Sequence, residues 1–316
     1  MPVEPKTLQE AIIYFSDPDV CLEYVVAKRW PNGVICPTCG SSEVHFIPTR
    51  RLWECKGKHS KRQFSAKVGT ICEDSALGLD KWLCAMWMIG SCKNGVSSYE
   101  IKRALGVTQK SAWFLLHRIR KAMHADDSRG KLTGEIEADE TYIGGKVKNM
   151  HRRSPRRIRT VNSPSWGKAI VLGLLNRETG EVRAKVAPSR TKHDVHAHVN
   201  ENVEPGSVLY TDEHHGYDNL PPEIVRQMVN HISAYVDGRI HVNSLENFWS
   251  LLKRTLGGTY VSVDPHHLFR YLDEQMFRYN KRRLTDGERL AIVTSQIVNR
   301  RLTYRELTGA TQAESA

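Results

Sequence analysis

The run Cys36-Pro-Thr-Cys39-Gly40, with Cys55 and His59 further along, constrains this chain more than any other stretch. A C-x2-C pair followed by glycine forms a tight knuckle in which the backbone can turn beneath a metal. Fifteen residues separate Cys39 from Cys55, and three separate Cys55 from His59. Four soft or borderline ligands in two pairs suit tetrahedral Zn2+, and a set with no open position implies a structural site. The second pair departs from the commoner C-x2-C, which makes His59 the weakest ligand and His45 its stand-in. A zinc ribbon is therefore expected over residues 31–76. A helical segment at 1–30 precedes it, where Leu8, Ile12, Ile13 and Phe15, then Leu22, Val25 and Val26, recur at helical spacing.

All seven cysteines lie between residues 21 and 92. A secreted disulfide scaffold would use even numbers spread along the chain, so the pattern implies a reducing, cytoplasmic compartment. Cys21, Cys72, Cys84 and Cys92 sit in or beside apolar helical segments and read as buried thiols. The most apolar run, "WLCAMWMIG" at 82–90, is too short to cross a bilayer, and "MPVEPKTLQE" is no secretory signal. No membrane partner is expected.

The chain carries 46 Lys+Arg against 35 Asp+Glu, a net charge of +11. Such a balance favours a polyanionic partner, most often nucleic acid. The charge is concentrated in "KVKNMHRRSPRRIRTVNSPSWGK" (146–168), with eight Lys/Arg and no acid. Arg152, Arg153, Arg156 and Arg157 there are expected to lie along a phosphate backbone in a mobile arm.

A helix-turn-helix unit is expected over 77–125. Ser97-Ser98 can cap "SSYEIKRAL", Gly106 breaks it, and a second helix starts at Thr108. Ile101, Ala104, Leu105 and Val107, then Ala112, Leu115, Leu116 and Ile119, supply its apolar seam, with a preceding helix at 79–92. Such a unit presents the early residues of its second helix to a major groove. Here these are Gln109, Lys110 and Ser111, with Trp113, His117, Arg118 and Arg120 nearby; Trp113 and Phe114 also suit a core.

From residue 131 the pattern changes to strands: "GEIEADETYIGG", "KAIVLGLLNRETGEVRAKVAP" with a hairpin turn at 176–181, and "SVLYTDEHHGY". Helices follow at 191–203, after Asn243 or Ser244, and over 265–282. On the first strand Glu137, Asp139 and Thr141 share one face, and Ile136, Ala138 and Glu140 the other. Asp212 ends a strand. In "HVNSLENFWSLLK" (241–253) Glu246 and Lys253 lie seven residues apart and share a helix face. Carboxylates from two strands and a helix can hold a pair of divalent cations, which is what phosphodiester chemistry requires. Lys253 would meet a DNA phosphate. Phe248, Trp249, Leu251 and Leu252 form the core-facing stripe of the same helix.

The motifs "CPTCG", "RQFSAKVGT", "ADETYIGGK", "YTDEHHGY", "HVNSLENFWSLLKR…GTY", "RYLDEQMFRYNKR" and "RRLTYREL" occur in order over roughly residues 15–309. Together they resemble the DDE transposases of bacterial insertion sequences that carry an N-terminal zinc ribbon (insertion-sequence family 1595). The resemblance implies an α+β chain of several domains whose catalytic core, 131–285, is an RNase H-like mixed sheet, with 286–316 a C-terminal extension and disordered tail. It implies Mg2+ or Mn2+ as catalytic metal, and strand cleavage and transfer at terminal inverted repeats and target DNA. A homo-oligomer on DNA follows, in a bacterial, nucleoid-associated setting. Asp139 and Asp212 fall on the first two acids of the motif. For the third position Glu246 is favoured, since a carboxylate binds a hard cation better than an amide, and Asn243 is the alternative. A DNA-binding regulator without catalysis is the rival reading, but it leaves Asp139, Asp212 and Glu246 unexplained.

Overall fold

The computed structural model describes residues 4–125, 129–144, 168–228 and 241–309. The chain divides into two compact units, Met1–Ala125 with Lys281–Ala316, and Asp126–Asn280.

The first unit opens with α1 (Leu8–Tyr14) and α2 (Pro18–Arg29). The single helical segment read over 1–30 is in fact two helices. Pro18 can start a helix but not continue one, and the Asp17 carboxylate caps α2 by accepting from the Asp19 N–H at 2.8 Å. The expected stripe of α1 is only partly used: Ala11 and Phe15 are buried, whereas Leu8, Ile12 and Ile13 are exposed. A three-stranded antiparallel sheet follows, β1 (Val44–Ile47), β2 (Leu52–Cys55) and β3 (Gln63–Phe64). Trp30, at the end of α2, packs edge-on against Trp53 with ring centroids 5.8 Å apart, and Trp53 stacks on Phe64 at 6.1 Å. So small a sheet gains its core from these rings and from the metal ligands beside them.

Three helices complete the first half: α3 (Leu79–Ser91), α4 (Ser98–Leu105) and α5 (Gln109–Met123). Ser97 and Glu100 form a capping box on α4, Gly106 closes it in the left-handed region at φ 62°, and Thr108 caps α5. Cys21 and Cys72 are buried as expected, but Cys84 is half-buried and Cys92 is exposed just past the end of α3. The late segment belongs to the first unit. A helix at Asp286–Ser295 buries Leu290 and Val293 within the first unit. The Ile71 N–H donates to the Ile297 carbonyl at 3.0 Å, and the Asn299 N–H to the Gly69 carbonyl at 2.8 Å. A short helix at Tyr304–Thr308 follows; the tail expected to be disordered lies, from residue 310, outside the described residues.

The second unit is a five-stranded mixed sheet in the order β6-β5-β4-β7-β8. Its strands are β4 (Glu135–Ile143), β5 (Ala169–Asn176), β6 (Val182–Ala187), β7 (Val208–Thr211) and β8 (Val225–Met228). The first three form an antiparallel meander, while β7 and β8 run parallel to β4. Asn176 builds the expected 176–181 turn, its Oδ1 accepting from the N–H groups of Glu178 and Thr179. Helix α6 (Lys192–Asn202) covers one face, where Val195 and Val199 pack with Ile136, Ala138 and Leu174. Helices α7 (Asn243–Arg254) and α8 (Leu268–Asn280) cover the other, where Leu245, Phe248, Leu252 and Leu272 pack with Val171 and Leu175. The alternation of β4 therefore serves two cores.

Candidate zinc and acidic metal sites

The four groups Cys36, Cys39, Cys55 and His59 converge with their ligand atoms all within 4.8 Å of one another. Cys36 Sγ lies 3.4 Å from His59 Nε2, and Cys39 Sγ lies 3.6 Å from Cys55 Sγ. His45 is on β1, paired opposite Glu54, and is not part of the group. The backbone is shaped for sulfur: the Gly57 N–H donates to Cys55 Sγ at 3.3 Å, and the Gly40 N–H donates to the Cys36 carbonyl at 2.8 Å. A Cβ at Gly57 would lie 3.3 Å from Cys55 Sγ and 3.4 Å from Cys39 Sγ, so only glycine leaves the cradle open. Burial raises the Cys36 thiol, but backbone N–H groups of Cys39 and Thr38 outweigh it and bring the pKa down to about 6. Three sulfurs, with Cys36 a thiolate at neutral pH, beside one imidazole are the donor set of structural Zn2+, and the residues present fit that ion.

The second cluster consists of Asp139, Glu140 and Asp212, whose carboxylate oxygens lie within 4.8 Å of one another. Strand β4 pairs with β7 only at Glu135, Ile136 and Glu137, and β7 ends at Thr211. Beyond those residues β4 overhangs its neighbour, which leaves a notch at the carboxyl ends of two parallel strands. Open α/β sheets place their ligand sites at such ends. Asp139 points toward α7, where the Trp249 indole N–H donates to its Oδ2 at 3.0 Å. Trp249 can lie there because Asp139 faces Gly173 across the sheet, and a Cβ on that glycine would come within 2.5 Å of the indole. Asp212 is held at the end of β7 by the His214 N–H, which donates to its Oδ1 at 3.0 Å. Arg226 on β8 fixes the loop that follows, donating to the Asp212 carbonyl at 3.0 Å and to Asp218 at 2.5 Å.

Burial pushes the Asp139 carboxyl up to about 7, with the charges of Glu140 and Asp212 adding to the effect. Glu140 is likewise raised, by burial first and by Asp212 next, against the opposing pull of His214 and Arg190. Oxygen-only donors in a crowded, charge-starved notch suit a hard divalent cation such as Mg2+ or Mn2+.

A fourth carboxylate, Glu137, is wholly buried one turn of the pleat before Asp139. It accepts from the Arg177 Nε at 3.0 Å and from the Leu245 N–H at 2.9 Å. Arg177 in turn lies over the Tyr210 ring, 3.8 Å from its centroid. Glu137 thus caps α7 from the sheet. Neither Asn243 nor Ser244 takes that role; Asn243 is the first residue of the helix and Val242 its boundary.

The remaining predicted residues are placed unevenly. Asn243 and Glu246 are exposed on α7, and Glu246 does not join the group formed by Asp139, Glu140 and Asp212. Lys253 is exposed and lines a cavity of about 420 Å3 with Tyr142, Gly144, Leu256, Gly257 and Ser262. On α5, Lys110 is exposed with its ammonium 4.5 Å from the Tyr304 ring centroid, and the half-buried Gln109 donates to Ser98 Oγ at 3.0 Å. Ser111 caps back onto Thr108, and Trp113 packs edge-on against His117. Arg118 does not face outward as a groove contact would. It is 4% exposed, sits by the Trp82 and Phe114 rings, and donates to the Glu73 carbonyl. His117 and Arg120 are buried as well. Arg152, Arg153, Arg156 and Arg157, with the rest of the basic insert up to residue 167, lie outside the described residues.

Residues 131–280 match the family model described as an ISXO2-like transposase domain, and residues 16–57 match a transposase zinc-ribbon domain. A protein in transposable element ISH50 of Halobacterium salinarum is 30% identical over 239 residues, 72% of this chain and 79% of the relative. The chain belongs to the insertion-sequence 1595 family of transposases. A transposase-like protein of Haemophilus influenzae is 31% identical over 83 residues, 26% of this chain and 67% of the relative. The transposase-domain match ends at residue 280, where the second compact unit of this transposase also ends. It spans Asp139, Asp212 and all of α7. Among the described residues no helix of the transposase is long and apolar enough to cross a membrane.

Sequence reasoning missed Glu140 as a neighbour of Asp212, and Glu137 and Trp249 as the groups that hold α7 and Asp139. Strict alternation put Glu140 on the far face of β4. The available signal was the adjacency of two acids in "ADET", on a strand whose pairing to β7 stops at Glu137 and lets a long side chain turn inward on that side.

Proposed function

We propose that this transposase cuts and rejoins DNA strands at the ends of its element, using a divalent cation bound at the second unit. The observation that carries the reading is the convergence of Asp139, midway along β4, with Asp212 at the carboxyl end of β7, in a chain of this family. The strand order, with the second strand antiparallel to the first and the fourth and fifth parallel to it, supports an RNase H-like core. The ligands are Asp139 and Asp212, with Glu246 completing the site from α7 and Asn243 beside it as a substrate contact.

A bound Mg2+ or Mn2+ would supply Lewis acidity at the scissile phosphate and lower the pKa of the attacking water or 3′-hydroxyl. The protein's own part is orientation. The Trp249 indole fixes one oxygen of Asp139, the His214 N–H fixes one of Asp212, and Glu137 locks α7 to the sheet. Lys253, nearly two turns beyond Glu246, meets a backbone phosphate and holds the strand in line. Gln109, Lys110 and Ser111, opening α5 after the Gly106 turn, belong to a helix-turn-helix that reads the terminal inverted repeats, and Zn2+ at the four-ligand cluster braces the ribbon in front of it. Target and element DNA are the partners, and a homo-oligomer assembles on paired ends.

The test is a cleavage and strand-transfer assay on the DNA ends that flank the gene, with Mg2+, beside an Asp212→Ala variant. Wild type is expected to nick and join. The variant is expected to lose on the order of a thousandfold or more, because a Lewis-acid metal is worth several kcal/mol in the transition state. An Asp212→Ala protein as active as wild type would refute the reading.

A further inference from the structure

Glu140 is placed as no bystander would be. Its side chain is only 5% exposed, it lies within the group shared by Asp139 and Asp212, and its Oε2 is buried with no hydrogen-bond partner among the described residues. Its other oxygen is weakly served. Arg190 donates to Oε1 at 3.3 Å but is itself half in solvent. His214 Nδ1 is 3.8 Å from Oε1, beyond hydrogen-bond distance, and lies 3.0 Å from the Gly216 N–H, which donates to it. A buried carboxylate oxygen without a donor costs free energy, and such groups persist where something else completes them. The chemistry that completes an acceptor facing two further carboxylates is a cation.

We propose that Glu140 is itself a ligand of the divalent cation, with Asp139 and Asp212. The two strands then supply three carboxylates to the cation, beside Glu246 from α7. This rests on the metal-dependent reading of the site and adds a ligand to it. The geometry also gives Arg190 a role: it competes with the cation for Glu140, so that an exposed guanidinium tempers the site until the ion arrives.

The test is Mn2+ binding to the full-length protein without DNA, by calorimetry and by the electron paramagnetic resonance of the free ion. Wild type should bind, and Asp139→Asn should bind poorly. Glu140→Gln and Glu140→Asp should each weaken binding by about tenfold or more, the range seen when groups tied to a metal site are removed. Glu140→Asp is the decisive arm, because it keeps the charge and withdraws the oxygens. If it binds as wild type does, Glu140 acts only as a nearby charge and the proposal is wrong. Arg190→Ala guards against a Glu140 variant that fails to fold. It should bind Mn2+ more tightly than wild type, and unchanged or weaker binding would overturn the proposal. Failure of wild type to bind, or of Asp139→Asn to lose binding, would instead sink the parent reading of the site.

Discussion

The two ligand clusters of this transposase are built on opposite principles. The zinc set comes from one short stretch, Cys36 to His59, closed by two knuckles and a pair of strands, and its backbone N–H groups already point at sulfur. Backbone N–H groups bring the Cys36 thiol down to about 6 before the metal arrives. The acidic set comes from strands that are far apart in sequence, and its members repel one another in a buried notch, with Asp139 pushed up to about 7. One cluster makes its fold; the other is held together by a fold made elsewhere. The two clusters should therefore respond differently to the loss of an ion. Removing the first should unfold its surroundings, and removing the second should leave a folded sheet that holds protons in place of a cation.

The largest effect that can break this contrast is at zinc. Cys36→Ser, or a strong chelator, should release one Zn2+ and unfold β1–β3, since structural zinc contributes on the order of 10 kcal/mol of folding free energy in small zinc modules. Zinc content and the near-ultraviolet signal of Trp30 and Trp53 report it. A protein that keeps both after chelation would show the ribbon to be self-supporting. Next comes Glu137→Gln. Breaking a buried ion pair from one side costs about 3–5 kcal/mol, and here it also uncaps α7. The melting temperature should fall sharply, and Mn2+ affinity should fall with it because Trp249 rides on that helix. Unchanged melting would deny that the sheet anchors α7.

Gly173→Ala is the more selective probe. The added methyl would meet the Trp249 ring at 2.5 Å, and overpacking of this kind costs about 1–3 kcal/mol. The indole should leave Asp139, so metal affinity drops more than stability does, and equal losses of both would contradict this. The smallest effect is that of pH. A carboxyl whose folded pKa lies above its ordinary value binds more protons in the native state, so the metal-free second unit should lose stability as pH rises from the ordinary carboxylate range through about 7. Mn2+ displaces that proton, so its apparent affinity should rise with pH up to about 7 and level off above, by up to about tenfold per unit. A flat profile between pH 5 and 8 would mean that the notch is not proton-loaded.

Much of this was legible in the sequence, for identifiable reasons. Ligand spacing gave Cys36, Cys39, Cys55 and His59, because a local metal knuckle is specified by local residues. Apolar runs bounded by glycine and turn residues located β4, β5 and β7, and with them Asp139 on a strand and Asp212 at a strand end. What stayed hidden depended on contacts distant in sequence. Glu140 reaches the notch only because β7 stops pairing with β4 after Glu137. Arg118 looked like a groove contact from its place on α5, but it is turned inward onto Trp82 and the Glu73 carbonyl. Leu8, Ile12 and Ile13 read as a core stripe, yet α1 buries Ala11 instead. The segment after Asp286 looked like an appendage because nothing in its own periodicity says that Leu290 and Val293 pack within the first unit.

A cation held by Asp139 and Asp212 is expected to act on the scissile phosphate itself. Replacing one non-bridging oxygen of that phosphate by sulfur tests it, since sulfur is a poor ligand for Mg2+ and a better one for Mn2+. Cleavage should fall with Mg2+ for one sulfur isomer and recover with Mn2+ in wild type, and Asp139→Asn should show no recovery. Equal cleavage of both isomers in Mg2+, or cleavage that persists in the Asp139→Asn protein, would contradict the account.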